Sequence, residues 1–103
     1  MASPIPLSDT LARPPASPRN GVVRVLFFGR IADACGRALE VATPRGGCRL
    51  SELRRRIGRQ VEGAAEALGE PGLRVAIDQV MAVGDPWVSP GREVAFLSAF
   101  SGG

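Results

Sequence analysis

From residue 21 onward, apolar and polar side chains alternate in short runs, and the breaks between them are rich in Gly, Pro and Asp. "VVRVLFF", Val22 to Phe28, has the two-residue period of a strand, with Val23, Val25 and Phe27 on one face and Arg24, Leu26 and Phe28 on the other. "GRIADACG" predicts a short helical turn closed by Gly36, and "RALEVA", Arg37 to Ala42, a second strand with Leu39 and Val41 inward. After the loop "TPRGG", the period changes. "RLSELRRRIGRQ" sets Leu50, Leu53 and Ile57 at i, i+3 and i+7, one face of a helix. Glu62 to Leu68 predicts a shorter helix stopped by "GEPG". Leu73 to Ile77 then predicts a strand, Val80 to Val83 a short return strand, and "GDPWVSPG" a turn capped by a packed Trp87. Arg92 to Leu97 is the last strand, with Val94 and Phe96 on one face.

That order is a hairpin, a helix, then strands that close beside the first. It predicts an α+β domain with one main helix across a mixed sheet, the β-grasp or ubiquitin-like arrangement. A chain this short holds one core, placed here at residues 21–97. Ahead of it, residues 1–20 contain five of the nine prolines and little periodicity, which predicts a disordered leader. Behind it, residues 98–103 form a flexible tail ending in Gly-Gly.

Composition narrows the chemistry. All thirteen basic residues are arginine, so the sequence offers no imidazole and no side-chain amine. Imidazole metal ligation, Schiff-base chemistry and a Walker-type phosphate lysine are excluded with them. Cys35 and Cys48 form no metal-ligand set, so no metal site is expected, and both read as small buried hydrophobes. The arginines at 49, 54, 55, 56 and 59 lie on or beside the main helix without interleaved aromatics. They predict a solvated basic face rather than a nucleic-acid site. No apolar run is long enough to span a membrane, and no signal-peptide core is present, so a cytoplasmic location is expected.

Two features carry functional expectations. If Val23, Val25 and Phe27 face inward, Phe28 faces out; by the same parity so does Leu97, with Met81 on the return strand able to join them. Phe28, Met81 and Leu97 would form an apolar partner-binding patch on the outer sheet face. The second feature is the ending "AFLSAFSGG". Glycine fills no core and loses the most backbone freedom on ordering, so a terminal pair adds no stability. Its value lies in the bare carbonyl: Gly102 and Gly103 lack Cβ, so the backbone can enter a narrow channel and expose its last carbon to attack. Extended, Ser98 to Gly103 reaches about 20 Å, at ~3.3 Å per residue. A carboxylate joined to AMP becomes an activated acyl group, which a persulfide sulfur can convert to a thiocarboxylate.

"VRVLFFGRIADACG", "LRVAIDQV" and "DPWVSPGREVAFLSAFSGG" resemble the first strand and helix, the third strand and turn, and the final segment of the small-subunit family of molybdopterin synthase. The resemblance runs from about Val22 to Gly103. It implies a sulfur carrier in which Gly103 is adenylated and then becomes a thiocarboxylate (a 1-thioglycine). Gly102, Ser101 and Phe100 would lie in the partner's channel, and Phe28, Met81 and Leu97 would be the docking patch. It further implies no bound cofactor and ATP consumed by a separate adenylating, sulfur-transferring enzyme. The large subunit would join in a heterotetramer, and sulfur would pass to cyclic pyranopterin monophosphate with the catalytic side chains on that large subunit. The family's usual Phe-Pro-Pro before the tail is Leu97, Ser98, Ala99 here, which predicts a freer tail; Phe100 stands for a smaller residue and Asp78 for an asparagine. The same fold also serves sulfur carriers of thiamine and cysteine biosynthesis, and ubiquitin-like modules that bind without carrying sulfur.

Overall fold

The structure, a computed structural model, describes residues 21–99. Both the leader and residues 100–103 lie outside the described residues.

Strand β1 (Gly21–Phe28) pairs antiparallel with β2 (Ala38–Thr43) through α1 (Ile31–Cys35), and the hairpin register places Val23 opposite Val41. The chain then forms β3 (Cys48–Arg49), the main helix α2 (Leu50–Gln60) and the one-turn α3 (Ala64–Ala67). Strands β4 (Arg74–Ile77), β5 (Val80–Met81), β6 (Trp87–Val88) and β7 (Glu93–Leu97) complete it. The five-stranded sheet has the order β2-β1-β7-β4-β5, with β7 parallel to β1 at its centre and the other neighbours antiparallel. A mixed sheet whose first and last strands run side by side, crossed by one principal helix, is the β-grasp fold.

The core follows the alternation. Val23, Val25, Phe27, Val75, Val94 and Phe96 point inward and meet Leu50, Leu53 and Ile57 from α2. Phe27 and Phe96 stack at 5.8 Å between ring centroids with planes 16° apart. Cys35 and Cys48 are free thiols buried in this core, and burial pushes both pKa values up, away from the reactive thiolate.

Helix α3 is shorter than the sequence predicts, Ala64–Ala67 rather than Glu62 to Leu68, because Gly63 enters it in the left-handed region at φ 86°. The larger correction is at Trp87. Instead of capping a packed turn it lies in β6, 54% exposed, within a two-stranded antiparallel ribbon with β3. Its indole N–H donates to the Gly46 carbonyl at 2.9 Å, and the Arg49 guanidinium sits 5.8 Å from the ring centroid. Gly47 is required at this crossing. Its φ is +98°, and a Cβ there would lie 2.3 Å from the Val88 carbonyl oxygen.

The ribbon also starts α2. The helix has no cap from its own N-terminal residue, so Asp85 supplies one across space: Oδ1 accepts from the Ser51 N–H at 2.7 Å and Oδ2 from the Ser51 hydroxyl at 2.8 Å. The Leu50 N–H donates to the Pro86 carbonyl.

Candidate functional site: an apolar sheet face beside the last strand

The inward face of the sheet is covered by α2, whereas Phe28 and Met81 on the outward face are about half exposed. Two rows of side chains cross that face near the end of β7. Phe28, Leu97 and Arg74 are register neighbours on β1, β7 and β4; one step back lie Leu26, Ala95, Ala76 and Met81. Phe28 is 49% and Met81 51% exposed, and Leu97 is half-buried between Phe28 and Arg74. The structure therefore brings Phe28 and Leu97 together directly. It joins Met81 to them through the alanine pair Ala76 and Ala95, which are small enough to leave the surface flat. Strand alternation had placed Leu26 on this face, but Ala76, Ala95 and Arg74 emerge from the β4–β7 pairing.

The opposite end of the same face is charged. Arg24 lies in register between Glu40 and Glu93. In the tight turn from β4 to β5, Asp78 and Gln79 adopt positive φ values of 50° and 71°, as a two-residue hairpin requires. The Asp78 carboxylate accepts from the Arg92 guanidinium and from the Glu93 N–H, and the arginine hydrogen bond is the larger cause of its lowered pKa. The face is thus divided into a self-compensated charged end and an apolar end.

The apolar end adjoins the place where β7 leaves the sheet. There the first tail residue, Ser98, is held by two hydrogen bonds. The Ser98 N–H donates to the Phe28 carbonyl at 3.0 Å, and its hydroxyl accepts from the Ile31 N–H at 2.8 Å. Ser98 thereby caps the start of α1. Gly29 and Gly72 flank the exit, and a Cβ on either would come within 3.1–3.2 Å of the Cβ of Ser98 or Ala99 respectively. Arg30 and Glu70, 3.0 Å apart, tie the two flanking turns together. Of the proposed tail residues, Phe100, Ser101, Gly102 and Gly103 lie outside the described residues.

Within the arginine cluster Arg49, Arg55 and Arg59 are exposed, as a solvated face requires, whereas Arg54 and Arg56 are half-buried. Arg54 donates to the Leu68 carbonyl and stands 5.4 Å from the Phe96 ring centroid, and Arg55 and Arg56 share Glu52. Arg56 also donates to the Ala42 carbonyl, and Gln60 to that of Glu40, which occupies outward carbonyls of the β2 edge. These contacts tie Arg54 and Arg56 to the body of the domain. Among the described residues there is no cluster of three or more potential metal ligands and no helix long and apolar enough to cross a membrane.

The fold and face define a small ubiquitin-like, β-grasp protein with an uncovered apolar surface next to its last strand. Among solved structures it is similar to the solution structure of the HVO 2177 protein of Haloferax volcanii, with a TM-score of 0.60 and 15% sequence identity; the match covers 88% of this chain and 94% of that one. The likeness is one of fold. Neither a family model nor a curated protein matches the sequence.

Proposed function

We propose that the protein is a sulfur carrier acting as the small subunit of a molybdopterin synthase. The observation that carries this reading is the position of the apolar row. Phe28 and Leu97 sit side by side at the point where β7 hands over to the segment ending in Gly102 and Gly103. A partner that grips the row receives the tail at a fixed position, because Ser98 is pinned to α1 and β1. The body then docks outside the partner while the glycines reach inward.

In the proposed cycle, a carboxylate oxygen of Gly103 attacks the α-phosphorus of ATP on the adenylating enzyme and pyrophosphate leaves. A persulfide sulfur attacks the acyl carbon and AMP departs, giving an acyl disulfide. A thiol reductant cleaves the S–S bond, is itself oxidised to a disulfide, and releases the thiocarboxylate. Sulfur then passes to cyclic pyranopterin monophosphate on the large subunit, and water restores the carboxylate. Two loaded carriers supply the two sulfurs of a dithiolene. This chain contributes the acyl group and the docking face, and the side-chain catalysis belongs to its partners, as suits a sequence without histidine or lysine.

The test is an intact mass of the full chain after incubation with ATP, the adenylating enzyme and a sulfur donor. Replacement of one oxygen by sulfur, localised to Gly103 by fragmentation, is the expected result. An unchanged mass, with an adenylating enzyme shown to load its own known carrier, would overturn the reading in favour of a binding module. Transfer to the pterin by the large subunit then separates this pathway from the thiamine and cysteine carriers.

A further inference from the structure

The apolar end of the sheet face contains one cation. Arg74 is exposed, lies in register beside Leu97, and its guanidinium makes no hydrogen bond or ion pair among the described residues. Other charges on this face are compensated: Arg24 lies in register between two glutamates, and Arg92 holds Asp78. The acids of the face stand at its far end, rows away from Arg74. A recess of about 370 Å³ beside Arg74 opens at the β4–β5 edge toward α2, lined also by Leu50, Arg54, Val75 and Met81, and so lies off the outward face.

We infer that the partner docking on this face presents an apolar surface with a carboxylate set against Arg74. The inference deepens the sulfur-carrier reading and rests on it, since it names the chemistry of the surface that receives Phe28 and Leu97. Three physical points support it. Covering Phe28, Leu97 and Met81 necessarily covers or borders Arg74, because register makes them neighbours. A guanidinium brought under a purely apolar partner would lose water without compensation. A planar guanidinium fork matches a carboxylate in two hydrogen bonds, which sets the rotation of the docked partner as well as its affinity. A second copy of this chain does not meet the requirement in the same way, because its matching apolar end brings another Arg74 and no free acid.

The experiment measures binding of the full-length chain to the purified adenylating enzyme and to the purified large subunit from the same genome, across a range of salt concentrations. Wild type, Arg74→Lys, Arg74→Gln, Arg74→Glu and Leu97→Asp are compared after circular dichroism establishes that each is folded. For at least one partner, Arg74→Gln is expected to weaken binding about tenfold and Arg74→Glu about a hundredfold at low salt, since like-charge juxtaposition in an interface is strongly unfavourable. Arg74→Lys should retain the salt dependence, and Arg74→Gln should flatten it. Equal affinity for wild type and Arg74→Glu, with Leu97→Asp still abolishing binding, would overturn the acidic-partner inference and leave the docking face standing. Tight binding by Leu97→Asp as well would overturn both. Self-association of the wild type through this face in sedimentation, strengthened by Arg74→Glu, would replace the acidic partner with a second copy.

Discussion

Phe27 and Phe28 are adjacent, chemically identical and on opposite faces of β1, so one substitution made at each separates core from docking surface. Phe27 is 2% exposed and stacked on Phe96; Phe28 is 49% exposed. Truncating a buried phenylalanine to alanine costs about 3–5 kcal/mol, through lost transfer energy and the cavity left behind. A domain of this size holds roughly 4–12 kcal/mol in total. Phe27→Ala therefore removes a quarter or more of the stability and lowers the melting temperature by about 12 °C or more, at roughly 4–8 °C per kcal/mol. For Phe28, full burial would be worth about 1.5–3 kcal/mol, and half of the ring is already in water, so Phe28→Ala costs about 1 kcal/mol. Its effect should fall instead on partner binding, which hot-spot aromatics weaken by about 2 kcal/mol or more when truncated. Thermal melts followed by far-UV circular dichroism, with the single tryptophan, Trp87, as a second probe in the β3–β6 ribbon, measure the first effect. Calorimetric titration with either partner measures the second. Equal destabilisation by the two substitutions would refute the face assignment. An unchanged partner affinity in a folded Phe28→Ala would refute the docking role of the face.

Three further outcomes follow from the contacts around the site. The Asp85 carboxyl is held below its ordinary value of 3.8, first by the Ser51 hydroxyl, and Asp78 and Glu52 are lowered by arginine hydrogen bonds. Groups with depressed folded values contribute stability that is present above the unfolded value and lost as pH falls through the folded one. Melting temperature should therefore drop below about pH 4, with a shallower acid slope for Asp85→Asn, read by melts from pH 2 to 7. Gly47→Ala should destabilise by more than the ~1–2 kcal/mol of a left-handed conformation alone, because its Cβ meets the Val88 carbonyl. Gly63→Ala, in the left-handed region but with open space around it, should cost about that much and no more, and urea titration distinguishes the two. Ser98→Ala leaves the part-buried Ile31 N–H without its partner and should cost about 1–3 kcal/mol. Faster hydrogen exchange at Ile31 and Ala32 would locate the loss in α1.

Local periodicity determined a good part of this protein. Alternation from Val22 to Phe28 named both faces of β1, and the spacing of Leu50, Leu53 and Ile57 named the buried side of α2, because each pattern is a geometric consequence of its own backbone. The element order carried the β-grasp architecture, and parity alone put Phe28 and Leu97 on the outer face. Strands of two residues have no period to read, so the β3–β6 ribbon, the half-exposed Trp87 and the capping of α2 by Asp85 became visible through pairing across about forty residues. The same holds for Arg74: nothing in "LRVAI" says that its arginine lies beside Leu97. That neighbour, the alanines that connect Met81 to the patch, and the pinning of Ser98 are products of the β4–β7–β1 register. Register depends on the packing of both faces at once, and so it was decided by the tertiary structure.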